Sequence, residues 1–212
     1  EEGIPEHAIE ILPNWLDLER FGPASPAARA RVRQKLGLPA TAWIVVSVAN
    51  YRPVKNLPLL IDAAAAIAAR VPQSLFLLIG AGPEGASLQA RVERLGVQRQ
   101  VRLVGESDEI PAYLTAADVG CLTSHSEGCS NAVLEYMAAG LATALSDIPA
   151  NRSLTPEGLF APGDAASLAR WLEQLAVQPE LAAAMGERNR QRAEQYGAAA
   201  FRNTLLDEET AC

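Results

Sequence analysis

Four charged residues have the types and positions needed to bind a phosphorylated ligand. Arg52 and Lys55 directly follow a buried apolar run, while Glu127 precedes a helical segment that contains Glu135. Arginine can bind phosphate through a planar fork and lysine through a point charge, and a helix N-terminus adds free N–H groups. Arg52 and Lys55 predict a diphosphate clamp, and the helix N-terminus after Glu127 offers N–H groups to an anion. Each pattern taken singly is also typical of solvated residues on a loop or helix.

A glycine-rich segment suggests a different ligand. The run Gly80-Ala81-Gly82-Pro83-Glu84-Gly85 matches G-x-G-x-x-G, and Glu106 lies about 20 residues further on, where a ribose-binding acid is expected. This favours a dinucleotide-binding oxidoreductase. Against it, Pro83 interrupts the usual turn and the motif follows the second predicted strand rather than the first. Glycines that simply permit a tight turn explain the pattern equally well.

The elements that must position these residues follow from hydrophobic periodicity. Short continuous apolar runs predict strands buried on both faces, at 43–48, 75–79, 101–104, 119–123 and 142–145. Amphipathic segments predict helices at 57–70, 84–95, 110–116, 131–139, 165–177, 179–195 and 198–209, with no strand after residue 164. This alternation predicts an α/β fold: a doubly wound, Rossmann-like parallel sheet with a helical C-terminal tail. In such sheets ligands bind at the carboxyl ends of the strands.

Composition narrows the classes of partner. The 212 residues carry a net charge of −7, which argues against nucleic acid. The apolar runs are too short to cross a bilayer, so no integral membrane segment is expected. Three cysteines without a C-x-x-C motif and two distant histidines predict no metal site. Free thiols suggest the reducing cytoplasm, and we expect the protein to be cytoplasmic.

Seven segments occur together in a defined order. They are Ile11-Leu12-Pro13-Asn14 with Asp17 and Phe21, then Arg52-Pro53-Val54-Lys55-Asn56, Gly80-Ala81-Gly82-Pro83, Val101-Arg102-Leu103-Val104-Gly105, Ala116-Ala117-Asp118-Val119, Glu127-Gly128 with Glu135, and 158–164. In this order they resemble the C-terminal, donor-binding domain of the retaining GT-B glycosyltransferases of the family 4 type. The resemblance runs from about residue 11 to about residue 174.

The resemblance implies a role for each matching position. Lys55 would neutralise the donor diphosphate, Glu127 would face the donor sugar, and Glu135 would accept hydrogen bonds from the ribose. The implied catalytic residues are Glu127, Lys55 and Arg52. The implied donor-binding residues are Asn50, Gly80, Gly82, Val104, Gly105, Glu106, Gly128, Cys129, Ser130, Asn131 and Glu135. The loop at 104–106 would lie near the base, and the backbone of 128–131 would lie against the phosphates and sugar.

Three positions depart from the family pattern. Asn50 stands where the family usually has an arginine, and Arg52 is expected to supply that charge from a different place in the loop. Cys129-Ser130 stands where Phe-Pro is frequent. Residues 149–153 replace a glycine pair followed by an acid, which leaves a sugar contact there open.

The resemblance also implies a domain organisation and a substrate. Residues 1–42 would be the inter-domain connection with a leading helix, and 43–212 the nucleotide-sugar-binding domain. The N-terminal acceptor domain would be absent, so this fragment alone is expected to be inactive. The substrate would be a UDP- or GDP-linked hexose, with no cofactor, and the missing domain could make the enzyme peripheral to a membrane. The alternatives are an NAD-binding oxidoreductase, a nucleotide-sugar epimerase and a non-catalytic nucleotide-binding module.

Overall fold

The predicted apolar runs form the strands of a single parallel sheet. A computed structural model describes residues 14–198, in which six strands are arranged in the order β3-β2-β1-β4-β5-β6. The strands are β1 (Trp43–Val48), β2 (Ser74–Ile79), β3 (Val101–Gly105), β4 (Val119–Leu122), β5 (Ala142–Ser146) and β6 (Leu159–Phe160). All neighbours pair in parallel. The doubly wound α/β prediction is therefore confirmed.

Helices cover both faces of the sheet. They are α1 (Pro26–Lys35), α2 (Leu57–Ile67), α3 (Gly85–Leu95), α4 (Ile110–Ala116), α5 (Asn131–Ala138), α6 (Pro149–Leu154), α7 (Ala165–Val177) and α8 (Pro179–Ala193). Alternate residues of β1 point to opposite faces: Val45 packs with α2 and α7, whereas Ile44 and Val46 pack with α4 and α5. The sheet thus has two apolar cores, which explains why its strands are continuous apolar runs.

Two predicted helix boundaries are confirmed by their capping geometry. The Asp164 carboxylate accepts a hydrogen bond from the Ser167 N–H at 2.9 Å and so caps the start of α7. Gly96 follows α3 with φ of 69°, the left-handed conformation that ends many helices.

Two short elements were missed by the sequence analysis. Residues 165–198 contain no strand of this sheet. The strand β6 lies before residue 164 and extends the sheet by pairing with β5. Two residues are too few to show a strand period. Helix α6 has only six residues and begins at Pro149, a residue that also fits a loop. The predicted helix at 198–209 lies outside the described residues from 199 onward.

The strand order reverses between β1 and β4, which are neighbours in the middle of the sheet. Successive connections leave this point in opposite directions, so a crevice opens at the carboxyl ends of the two strands. This is where open α/β sheets bind ligands. In the described part of the chain no helix is both long and apolar enough to span a membrane.

Candidate functional site

The loops that follow β1 and β4 are joined at the crevice. The loop after β1 contains a 3₁₀ turn, Pro53–Lys55. The Thr123 hydroxyl donates a hydrogen bond to the Lys55 carbonyl at 2.8 Å, and the His125 N–H donates to the Val54 carbonyl at 2.8 Å. These bonds fix the backbone that carries Lys55 against the loop that carries Glu127.

The two side chains meet in an ion pair across the crevice. Lys55 Nζ lies 2.5 Å from Glu127 Oε1, and the two side chains are only 19% and 10% exposed. The buried Ser124 hydroxyl donates to the same carboxylate oxygen at 2.6 Å. The Ser124 carbonyl in turn accepts a hydrogen bond from the Ser146 hydroxyl at 2.6 Å. A lysine and a glutamate that are 72 residues apart are therefore held together at the predicted clamp.

Sequence reasoning identified Lys55 and Glu127 separately but missed Ser124. A serine directly after an apolar strand is a signal that could have indicated it. Arg52, the second expected cation, is exposed and forms no ion pair or side-chain hydrogen bond within residues 14–198. The structure thus brings one of the two predicted cations into contact with Glu127.

The start of α5 offers backbone N–H groups beside Glu127. Ser130 is the N-cap residue and is buried, but its side chain makes no capping hydrogen bond. Asn131 accepts a hydrogen bond from the Asn14 amide at 2.7 Å. Cys129 is exposed, and a Cβ atom at Gly128 would meet nothing within 4 Å. This terminus is therefore open to an anion, which the helix dipole favours.

Glu135 lies one helical turn after Asn131 and is half-buried. Burial raises the pKa of the Glu135 carboxyl to about 7, and the positive charge of Arg20 opposes part of that rise. A carboxyl group with this pKa changes its charge near neutral pH.

A pocket lies next to the crevice, at the carboxyl ends of β1 and β2 and beside the loop after β3. Three predicted donor-binding residues line it: Asn50, Gly80 and Glu106. Val104 and Gly105 are not among the lining residues, because Val104 packs into the apolar core and the Gly105 carbonyl accepts the Gly80 N–H at 2.8 Å.

The first two glycines of the G-x-G-x-x-G motif allow the loop after β2 to pack closely against the loop after β1. A Cβ atom at Gly80 would lie 2.1 Å from the Ala49 carbonyl oxygen, and one at Gly82 would lie 2.6 Å from that of Tyr51. Their φ values are 139° and 155°, which side chains rarely tolerate. The motif also follows β2 rather than the central β1. The glycines are thus explained by packing without a dinucleotide.

A second cavity lies at the opposite, amino ends of the strands. Its lining includes Trp43, Ala142 and the Arg29–Asp118 ion pair. Parallel sheets bind ligands at their carboxyl ends, so this cavity is separate from the candidate site. Among the described residues, no three His, Cys, Asp or Glu side chains are grouped as metal ligands.

Comparison with known proteins identifies the family to which this chain belongs. Residues 28–192 match the family described as Glycosyl transferases group 1. The chain therefore belongs to this glycosyltransferase family, whose fold is GT-B.

Individual relatives agree with this assignment. A D-inositol 3-phosphate glycosyltransferase of Saccharomonospora viridis is 30% identical over 94% of this chain and 49% of its own length. The structure of Anabaena HepE in complex with UDP is similar with a TM-score of 0.89, at 22% identity, over 99% of this chain and 59% of that one.

A third comparison concerns domain size. The C-terminal domain of the group 1 glycosyltransferase LpcC from Francisella tularensis matches with a TM-score of 0.74 at 23% identity. That match covers 85% of this chain and 97% of the other. By contrast, the chain spans about half the length of the curated relatives that it matches.

Proposed function

We propose that this chain is the nucleotide-sugar-binding domain of a retaining, family 4 type glycosyltransferase that transfers a hexose from a UDP- or GDP-sugar. The single observation that carries the proposal is the Lys55–Glu127 ion pair at the point where the strand order reverses. It combines a cation, a carboxylate and a helix N-terminus in the crevice where such sheets bind ligands.

The chemistry of transfer explains why these groups are needed. When the sugar leaves its donor, negative charge develops on the departing diphosphate. A preorganised cation stabilises that charge more effectively than water does. We assign Lys55 to the diphosphate. Arg52, in the same loop after β1, and the N–H groups at the start of α5 assist it.

The ion pair also gives Glu127 a role. Its carboxylate neutralises Lys55 at 2.5 Å. When a diphosphate takes over part of the Lys55 charge, Glu127 becomes free to accept hydrogen bonds from sugar hydroxyls. We also assign to Glu135, with its carboxyl group ionised, the role of accepting hydrogen bonds from the ribose hydroxyls.

We propose that the acceptor binds to another domain of a longer protein. The likeness to an isolated C-terminal domain and the relatives of twice this length support the proposal. This chain is then expected to bind donor but to transfer no sugar by itself.

Isothermal titration with UDP, GDP and NAD tests the proposal. We expect one nucleoside diphosphate to bind saturably, and Lys55→Ala to weaken it about tenfold because a charge-assisted hydrogen bond is lost. Arg70→Ala is the matched control, since Arg70 also forms an ion pair, with Glu173, but precedes β2 at the amino end of the sheet. It should leave the affinity within about twofold of the unmodified chain.

Two results would count against the proposal. Binding of NAD alone would favour the oxidoreductase instead. Nucleotide binding that Lys55→Ala leaves unchanged would place the ligand elsewhere on the molecule.

A further inference from the structure

Apolar and polar residues both line the pocket beside the crevice. Its apolar members include Val48, Ile79 and Ile110, and its polar members include Asn50 just after β1. The pocket is continuous with the loop that carries Lys55, because Asn50 belongs to that loop. A base attached to a diphosphate at Lys55 therefore has an adjacent place to bind.

The rim of this pocket is acidic. Glu106 and Asp108 both line it, and neither carboxylate forms an ion pair or a side-chain hydrogen bond within residues 14–198. The next acid, Glu109, differs: it is paired with Lys35 and is not among the lining residues. No lysine or arginine of the described chain lines the pocket. The rim thus presents acceptors without a neutralising cation.

Ionised carboxylates only accept hydrogen bonds, so the ligand must supply donors. Guanine presents two adjacent donors on its Watson–Crick edge, N1–H and the 2-amino group, which together fit one carboxylate. Uracil presents a single N–H between two carbonyl oxygens. A carboxylate that accepts from this N–H is repelled by both oxygens. Adenine presents its amino group next to an acceptor nitrogen, which a carboxylate also repels.

We infer that this pocket binds guanine, with the rim of Glu106 and Asp108 accepting hydrogen bonds from N1–H and the 2-amino group. The inference rests on the proposed function and narrows the donor to a GDP-linked sugar. The likeness to HepE with UDP is at 22% identity and concerns the fold.

Titration with GDP, IDP and UDP tests the inference, because inosine has the guanine ring without the 2-amino group. We expect GDP to bind about tenfold more tightly than IDP, as a hydrogen bond to a charged group is lost. UDP should bind more weakly than GDP by at least about the same factor.

Matched variants identify the groups responsible. The double variant Glu106→Gln/Asp108→Asn keeps the side-chain shapes and removes the charges, so we expect the GDP preference over IDP and UDP to disappear. The control Glu109→Gln removes a neighbouring acid that is outside the pocket, and it should leave the preference unchanged.

Three different results would overturn the guanine assignment, the role of the acidic rim or the proposed function. Tighter binding of UDP than of GDP, still weakened by Lys55→Ala, would overturn the guanine assignment and leave the proposed function intact. A GDP preference that survives in the double variant would overturn the role of the acidic rim. Binding that is insensitive to Lys55→Ala would overturn the proposed function itself.

Discussion

At the scale of single residues, the site depends on how one carboxylate is held. Glu127 Oε1 receives both the Lys55 ammonium and the Ser124 hydroxyl. Ser124 is fully buried, and its carbonyl accepts a hydrogen bond from the Ser146 hydroxyl. Lys55 could be selected from the sequence because a lysine in a loop after a strand suits phosphate binding, and Glu127 because it precedes a helix. Their contact could not, since it depends on two strands becoming neighbours.

Ser124→Ala should lower the free energy of unfolding by about 1–3 kcal/mol, because a hydrogen bond to a charged, nearly buried group is lost. Urea unfolding measures the change. Ser153→Ala is the control, because the Ser153 hydroxyl also donates a hydrogen bond, to the Ala150 carbonyl, but is exposed. That substitution should change the free energy by no more than about 0.5 kcal/mol. Equal effects of the two would show that Ser124 is not specially placed.

Glu135 should make stability depend on pH between about 4.5 and 7. Its pKa is raised to about 7 in the folded chain from an ordinary value of 4.5, so the folded state holds a proton that the unfolded state releases. The stability that this bound proton contributes is therefore fully present below pH 4.5 and is lost as the pH rises through 7. Relative to the unmodified chain, Glu135→Gln should gain stability as the pH rises from 4.5 to 8. Thermal unfolding across this range measures the difference, and parallel curves for the two proteins would contradict it.

At the scale of elements, the sequence predicted what depends on local pattern. The five longer strands and the helices between them, such as α3 with its Gly96 cap, have periodicity or capping residues long enough to recognise. The strand β6 and the helix α6 could not be recognised, because two and six residues are too few to show a hydrophobic period. Pairing with β5 is what makes β6 a strand.

The contact between the loops after β1 and β2 should depend on Gly80. In Gly80→Ala the new Cβ would meet the Ala49 carbonyl oxygen at 2.1 Å, at a φ of 139°. Overpacking and strain together should cost about 3 kcal/mol or more. Gly163→Ala also has positive φ, 79°, but open space around the Cβ, and should cost about 1–2 kcal/mol. Urea unfolding compares the two variants. Equal losses of the free energy of unfolding would show that backbone conformation alone requires a glycine at position 80.

At the scale of the whole molecule, the sheet has two unlike ends. The carboxyl ends of β1 and β4 carry the Lys55–Glu127 pair, and those of β1 and β2 carry the acidic-rimmed pocket. The amino ends carry a second cavity and an anchor for α1, in which the buried Arg33 and the partly exposed Arg29 both bind Asp118. The direction of a parallel sheet thus separates the proposed chemistry from structural ion pairs.

Backbone amide shifts on titration with GDP and with UDP test this separation most directly. We expect the binding nucleotide to shift the amides of residues 50–56 and 124–131, and the amides around Trp43, Asp118 and Ala142 to stay unchanged. Shifts confined to that amino-end group, or saturation with neither nucleotide, would contradict the claim that this domain binds a nucleoside diphosphate between β1 and β4.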